Sequence, residues 1–135
     1  MRLRRAHADF FALQRVAHVA TADARGLPLV VPVCLVVADG RLYFASGKTG
    51  RKIDNLRANP QIAVSADDYS EAWSGLRGVV VDGTARIHAR NPMFRRVRRL
   101  LYQKYPQYAT DAALGDGDSV VVEVTPRRAF AWGFD

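Results

Sequence analysis

Cysteine, histidine and, over one long stretch, acidic residues are scarce in this chain, and each scarcity closes off a class of chemistry. There is one cysteine, Cys34, so no internal disulfide framework and no cysteine-type zinc cluster is available. It lies in the apolar run Val30 to Val37, where a buried structural thiol is expected rather than a nucleophile. The three histidines, His7, His18 and His88, fall on a helical pattern and two strand patterns with no metal-ligand spacing. There is no Gly-x-Ser-x-Gly elbow and no paired carboxylate site. No run approaches the ~20 apolar residues of a membrane-spanning helix. The basic start, Met1-Arg2-Leu3-Arg4-Arg5, is not followed by an apolar segment of the secretory type, so a cytoplasmic protein is expected. Internal repeats, low-complexity tracts and linkers are also missing.

What is present is enough hydrophobic material for one self-sufficient domain over residues 1–135, with 49% of residues hydrophobic. The formal net charge is +7. Arg86, Arg90, Arg95, Arg96, Arg98, Arg99 and Lys104 account for all of it, in a segment with no acid; the remaining 13 cations match the 13 acids. Such a segment reads as a solvated helix face, as a cationic rim for an anionic ligand, or as a nucleic-acid surface. The last is disfavoured by the lack of interleaved exposed aromatics and of any groove-reading motif.

Periodicity predicts mainly β structure with a few helices. Leu3, Ala6, Phe10 and Leu13 form one stripe of a helix over Leu3 to Val16. Ala17 to Ala22 reads as a strand, and Leu27 to Ala38 as a long strand pattern broken by Pro28 and Pro32, prolines that imply an edge, a bulge or a bend. Asp39-Gly40 marks a hairpin into Arg41 to Ala45. A short helix over Arg51 to Ala58 ends at Asn59-Pro60, followed by a strand over Gln61 to Ala66 and a loop to Leu76. Arg77 to Ile87 is a strand with a bulge near Gly83. Asn91-Pro92 opens a helix that Pro106 stops, with Phe94, Val97 and Leu101 on one side and the arginines on the other. Gln107 to Asp118 reads as a loop, Ser119 to Val124 as a strand, Pro126 to Arg128 as a turn, and Ala129 to Phe134 as a last extended segment. Strands arriving as hairpins favour an antiparallel sheet closed into a barrel, with helices outside.

The chemistry concentrates where a strand hands over to a helix, at Ala45-Ser46-Gly47-Lys48-Thr49-Gly50-Arg51-Lys52. Backbone N–H groups at a helix start, with hydroxyls and cations beside them, suit a phosphate. Gly47-Lys48-Thr49 is not the end of a P-loop, because that motif needs glycine where Leu42 stands.

The run Arg51-Lys52-x-x-x-Leu56-x-x-Asn59-Pro60, followed by a strand, resembles the pyridoxamine 5'-phosphate oxidase-like superfamily of FMN-binding split β-barrels. Arg77-x-Val79-x-Val81-x-Gly83, Asp39-Gly40 and the order of elements belong to the same resemblance, which covers roughly Phe10 to Trp132. It implies that Arg51 and Lys52 bind the cofactor phosphate and that Ser46 contacts the cofactor; the need of a phosphate for cations and donors adds Lys48 and Thr49 to that site. It also implies a homodimer whose subunits share each cofactor site. Pro32 and Val33 are candidates for the wall of the cofactor ring, and Trp73 for a stacking residue from a loop or from the partner. Trp132 is expected in packing or dimer contact.

The sequence departs from the oxidase itself. Val30 and Leu35 stand where the oxidase places an Arg and a Lys, Gly78 where it carries a Gln, and its substrate-binding tail is absent. The apolar strand with Pro32-Val33, the segment Asp68 to Trp73, and Lys104-Tyr105-Pro106-Gln107-Tyr108 resemble the branch that uses the deazaflavin coenzyme F420, or sometimes FMN. The expected activity is hydride transfer to a small organic substrate, with the coenzyme carrying the hydride and no protein acid or base singled out. The alternatives are a flavin-, deazaflavin- or haem-sequestering protein, for which His18 and His88 are the only barrel histidines, and a basic nucleic-acid-binding domain.

Overall fold

The computed structural model describes residues 1–134. Seven antiparallel strands form one curled sheet in the order β2-β1-β5-β6-β7-β4-β3. In chain order these are β1 (Ala17–Ala22), β2 (Pro28–Val33), β3 (Val36–Ala38), β4 (Arg41–Gly47), β5 (Gln61–Asp68), β6 (Arg77–His88) and β7 (Ser119–Trp132). The helices are α1 (Arg5–Leu13), α2 (Arg51–Ala58), α3 (Pro92–Lys104) and a short α4 (Tyr108–Asp111). The architecture is a split barrel: the sheet curls around a core, but the strands at its two ends, β2 and β3, are not paired with each other.

Alternation along the strands puts one set of side chains inside. Val19, Val64, Val79, Val81, Val122 and Val124 meet Leu42 and Phe44 there, with Phe10 and Phe11 of α1 and Ile53 and Leu56 of α2 closing the core. A second core lies on the outer face of β3, β4 and the first half of β7. Tyr43 and Val121 there are covered by Phe94, Val97 and Leu101 of α3, the three helix residues being fully buried. Each is worth about 1.5–3 kcal/mol in area removed from water. The spacing that predicted α3 is therefore also its reason for docking. Asn91 caps it, accepting from the Phe94 N–H at 2.8 Å.

The rest of the outer face has no helix on it. Pro32, His18, Ser65, Val80 and Phe130 stand in one row across β2, β1, β5, β6 and β7. Val30 is 62% exposed and Phe130 68%. Beside them Trp132 lies flat over Gly78; a Cβ at position 78 would sit 2.3 Å from Cζ2 of the indole.

Four expectations are corrected. The strand expected over Leu27 to Ala38 breaks at Cys34-Leu35, not at its prolines. Of the placements expected for Pro28 and Pro32 the edge is the one found: both sit in β2, an edge strand, where a missing N–H is harmless. At the break, the Leu35 carbonyl accepts from Lys104 Nζ at 2.9 Å and Tyr105 Oη at 3.2 Å, so α3 takes the bonds a strand partner would have used. The two segments expected at the C-terminal end are one continuous strand, β7. Pro126 does not turn the chain because it falls at a register shift opposite Gly83 of β6. The loop expected over Gln107 to Asp118 contains the one-turn α4. Cys34 is half-buried rather than buried. The bulge near Gly83 and the Asp39-Gly40 hairpin are present as expected, the latter with φ of 54° and 72° at its two central residues.

Candidate cofactor site

Strand β4 and helix α2 build the site. Ser46 and Gly47 end β4 in register with Val120 and Ser119 of β7. The Lys48 N–H donates to the Asp118 carbonyl at 2.9 Å, which pins the loop after the strand. Gly50 then adopts φ 116°, ψ 166°, a conformation that side-chain-bearing residues rarely hold, and becomes the N-cap of α2. No side chain caps this helix. Its first-turn amides are thus left for another acceptor, with the partial positive charge of the helix start behind them.

Ser46, Lys48, Thr49, Arg51 and Lys52 flank that helix start along the chain. Lys48, Thr49 and Arg51 are exposed. Lys52 is half-buried, its Nζ 6.0 Å from the centre of the Phe44 ring, and burial pulls its pKa below the ordinary lysine value. A cation that has lost hydration gains more from meeting an anion. The Ser46 hydroxyl donates to the Gly47 carbonyl at 2.9 Å, leaving its oxygen lone pairs to accept. On the buried side of α2, Asn55 donates through Nδ2 to Thr21 Oγ1 at 3.0 Å, and Ile53 and Leu56 enter the core. Helix α2 is thereby fixed against β1 with its N-terminus at the end of β4.

Pro32 and Val33 end β2, and the short Cys34-Leu35 corner leads from there into β3, which pairs with the first half of β4; no hydrogen bond or strand pairing among the described residues joins them to Ser46 or α2. Their side chains point opposite ways: Pro32 is exposed on the outer face, whereas Val33 is 9% exposed and packs in the core. Only the Val33 backbone can then line a pocket beside Pro32. Trp73 is 74% exposed on a single 3-10 turn, Trp73–Gly75. Among the described residues no hydrogen bond or ring contact ties it to the β4–α2 junction.

Sequence reasoning passed over a buried polar network behind this region. Glu123 of β7 accepts from His88 Nε2 at 2.9 Å, from Arg41 at 3.0 Å and from Tyr43 Oη at 3.1 Å. Asn91, whose Oδ1 is used as the α3 cap, presents Nδ2 to His88 Nδ1 at 2.9 Å, so His88 is held as the tautomer that donates from Nε2. Burial pushes the Glu123 carboxyl up, but the bonds from His88, Arg41 and Tyr43 outweigh it and hold it below the ordinary value. Burial, with the Glu123 charge beside it, pushes the Tyr43 phenol up to about 12. The sequence signal was an acid in an otherwise all-valine strand, Val120 to Val124. With both ring nitrogens engaged and 6% exposure, His88 is not a ligand in waiting. His18 is exposed on the uncovered sheet face.

An uncapped helix start beside cations, at the end of a strand of a split barrel, is an arrangement chemically suited to an anionic group. The chain belongs to the pyridoxamine 5'-phosphate oxidase family, whose sequence profile matches residues 3–133. No curated protein sequence matches it significantly. Among solved structures it is similar to an FAD-binding protein of Mesorhizobium loti, at 24% identity and a TM-score of 0.77, over 93% of this chain and 91% of that one. It is similar to an F420 reductase at 22% identity and a TM-score of 0.75, over 95% and 98% of the two chains. The haem storage protein HutZ of Vibrio cholerae shares the fold at 18% identity and a TM-score of 0.78, over 96% and 94%. Neighbours of this fold thus carry flavin, deazaflavin or haem.

Proposed function

We propose that the protein is an oxidoreductase that uses coenzyme F420 or FMN to transfer hydride to or from a small organic substrate. The observation that carries the reading is the uncapped start of α2, flanked by Lys48, Thr49, Arg51 and Lys52 at the end of β4. Both coenzymes have a phosphate, and this donor set is chemically suited to one. The ring system of the bound coenzyme supplies the hydride chemistry. The protein's part is to bind and orient. The α2 amides and the Arg51 and Lys52 side chains hold the phosphate, while the Ser46 hydroxyl and the Val33 backbone offer hydrogen-bonding groups toward the ring. Pro32 gives an apolar wall.

The reading includes a homodimer. The uncovered sheet face, with Val30, Pro32, Val80, Phe130 and Trp132, is an apolar surface of the kind that subunits bury. Pairing there brings the edge strand β2 and Pro32 to the subunit boundary. Trp73 then has a role only if it reaches the partner's cofactor.

The test is an absorption spectrum of the purified protein followed by titration with FMN, F420 and haemin. FMN or F420 should bind, and Arg51→Ala with Lys52→Ala should weaken that binding about 100-fold or more, since two charge-assisted hydrogen bonds of about 1.5–3 kcal/mol each are removed. Sedimentation should give a dimer that Val30→Lys with Phe130→Lys converts to monomer. Binding of haemin alone, lost on His18→Ala, establishes the sequestering alternative instead.

A further inference from the structure

Helix α3 carries its charge against the rules of helix design. It has no acidic residue, and four arginines, Arg95, Arg96, Arg98 and Arg99, fall within five consecutive positions. Arg95, Arg98 and Arg99 are three and four residues apart on one face, the spacing at which like charges repel. A face made only for solubility mixes both signs.

Part of this charge is neutralised and part is not. Arg96 pairs with Asp39 at 2.8 Å, away from the others. Arg98 is anchored: its guanidinium bonds Asp116 at 2.8 Å and the Leu114 carbonyl at 3.1 Å, and lies 5.3 Å from the Phe94 ring centre. Arg95 donates only to the Arg90 carbonyl, at 3.2 Å. Among the described residues Arg99 has no ion pair or side-chain hydrogen bond. Both are exposed. With Arg98, Tyr102 and Gln103 they line an open hollow of about 460 Å³. One anchored guanidinium and two with no acidic partner therefore border the same open hollow along α3.

We propose that this hollow binds the oligophosphate group of a small molecule, at a site separate from the cofactor phosphate site at α2. Guanidinium forks match phosphate oxygens in pairs, and several along one helix face fit a chain of phosphates better than a single anion. Nucleic acid is the poorer fit. The Tyr102 ring stacks on Tyr108 at 6.2 Å and 19°, and its hydroxyl accepts from the Leu114 N–H at 2.9 Å, so it is not free to stack on a base.

The probe is inorganic tripolyphosphate, titrated calorimetrically into the purified protein at about 0.15 M salt, where weak surface attraction is largely screened. Binding should weaken about tenfold or more in Arg95→Gln with Arg99→Gln, with thermal stability and cofactor titration unchanged. Arg51→Ala with Lys52→Ala should leave the α3 site intact, which separates this proposal from the cofactor reading. The proposal is overturned if tripolyphosphate does not bind or if the α3 variant binds it like wild type. It is equally overturned if the α2 variant is the one that abolishes binding, if citrate binds as well, or if an oligothymidylate binds and tripolyphosphate does not.

Discussion

Replacing Glu123 by glutamine removes one charge from the middle of three hydrogen-bonding partners and leaves the volume nearly unchanged. The His88–Glu123 pair is almost fully enclosed, both side chains being 7% exposed, and Tyr43 is buried with it. Bonds to a buried charged acceptor are worth about 1.5–3 kcal/mol each, whereas the Arg41 bond, made by a side chain 40% exposed, is discounted to about 0–1 kcal/mol by solvent. Glutamine keeps one acceptor oxygen and turns an amide N–H toward donors. The expected loss is about 3 kcal/mol at pH 7, close to the cost of breaking a buried pair. For 135 residues the unfolding entropy is about 0.28 kcal/mol/K, so the melting temperature should fall by about 10 °C. The native carboxyl titrates below its ordinary 4.5, so its stabilisation is present above that value. As pH falls through the lower native value, protonation removes it. The gap between wild type and variant should therefore narrow in acid. Thermal unfolding followed by circular dichroism at pH 7 and pH 3.5 measures both. A fall of less than about 3 °C at pH 7, or a gap that persists undiminished in acid, refutes the account.

Other perturbations read other parts of the structure. Asn91→Ala removes the α3 cap and the partner of His88 Nδ1, and should cost about 1–2 kcal/mol in urea unfolding. Gly78→Val drives a side chain into the Trp132 ring and should destabilise by about 1–3 kcal/mol, with a red shift in tryptophan emission as the indole lifts off the sheet. Burial, and then the charge of Arg15, lowers the pKa of Lys104 to about 8. Because the unfolded chain keeps its lysine protonated to higher pH, wild-type stability gains a contribution between about pH 8 and 10.5. Lys104→Met should lose that pH-dependent gain, as urea midpoints at pH 7.5 and 10 would report.

Much of the fold was legible because local chemistry and global packing agree. Asp39-Gly40 turns, Asn91-Pro92 starts a helix, Asn59-Pro60 ends one, and the Phe94–Val97–Leu101 stripe docks. The errors fall where a distant element overrides a local signal. Pro126 looks like a turn until a bulge opposite Gly83 absorbs it. The apolar run through Cys34-Leu35 looks like one strand until Lys104 and Tyr105 take the Leu35 carbonyl. The same division holds for the site. The β4–α2 junction is contiguous in sequence, so its strand end, its glycines and the start of its helix were legible together. The desolvation of Lys52 by Phe44, the inward turn of Val33 and the Glu123 network depend on neighbours far along the chain, which no local pattern announces.

The place of β7 in the sheet bears on how the chain acquires its shape. The strand lies between β6 and β4, and it is the last strand in sequence. Until residues 119–132 arrive, the β3–β4 hairpin has no strand pairing to the other four strands, and α3 has only part of the surface it covers. A chain folding before that segment is made therefore holds two strand groups, linked through the Cys34-Leu35 corner but not paired, each with an open hydrogen-bonding edge. Its final strand must insert between them and zip along both sides at once. Ordering so many sequence-distant partners in one late event makes for slow folding and leaves a window in which the unfinished halves can be captured by chaperones or by each other.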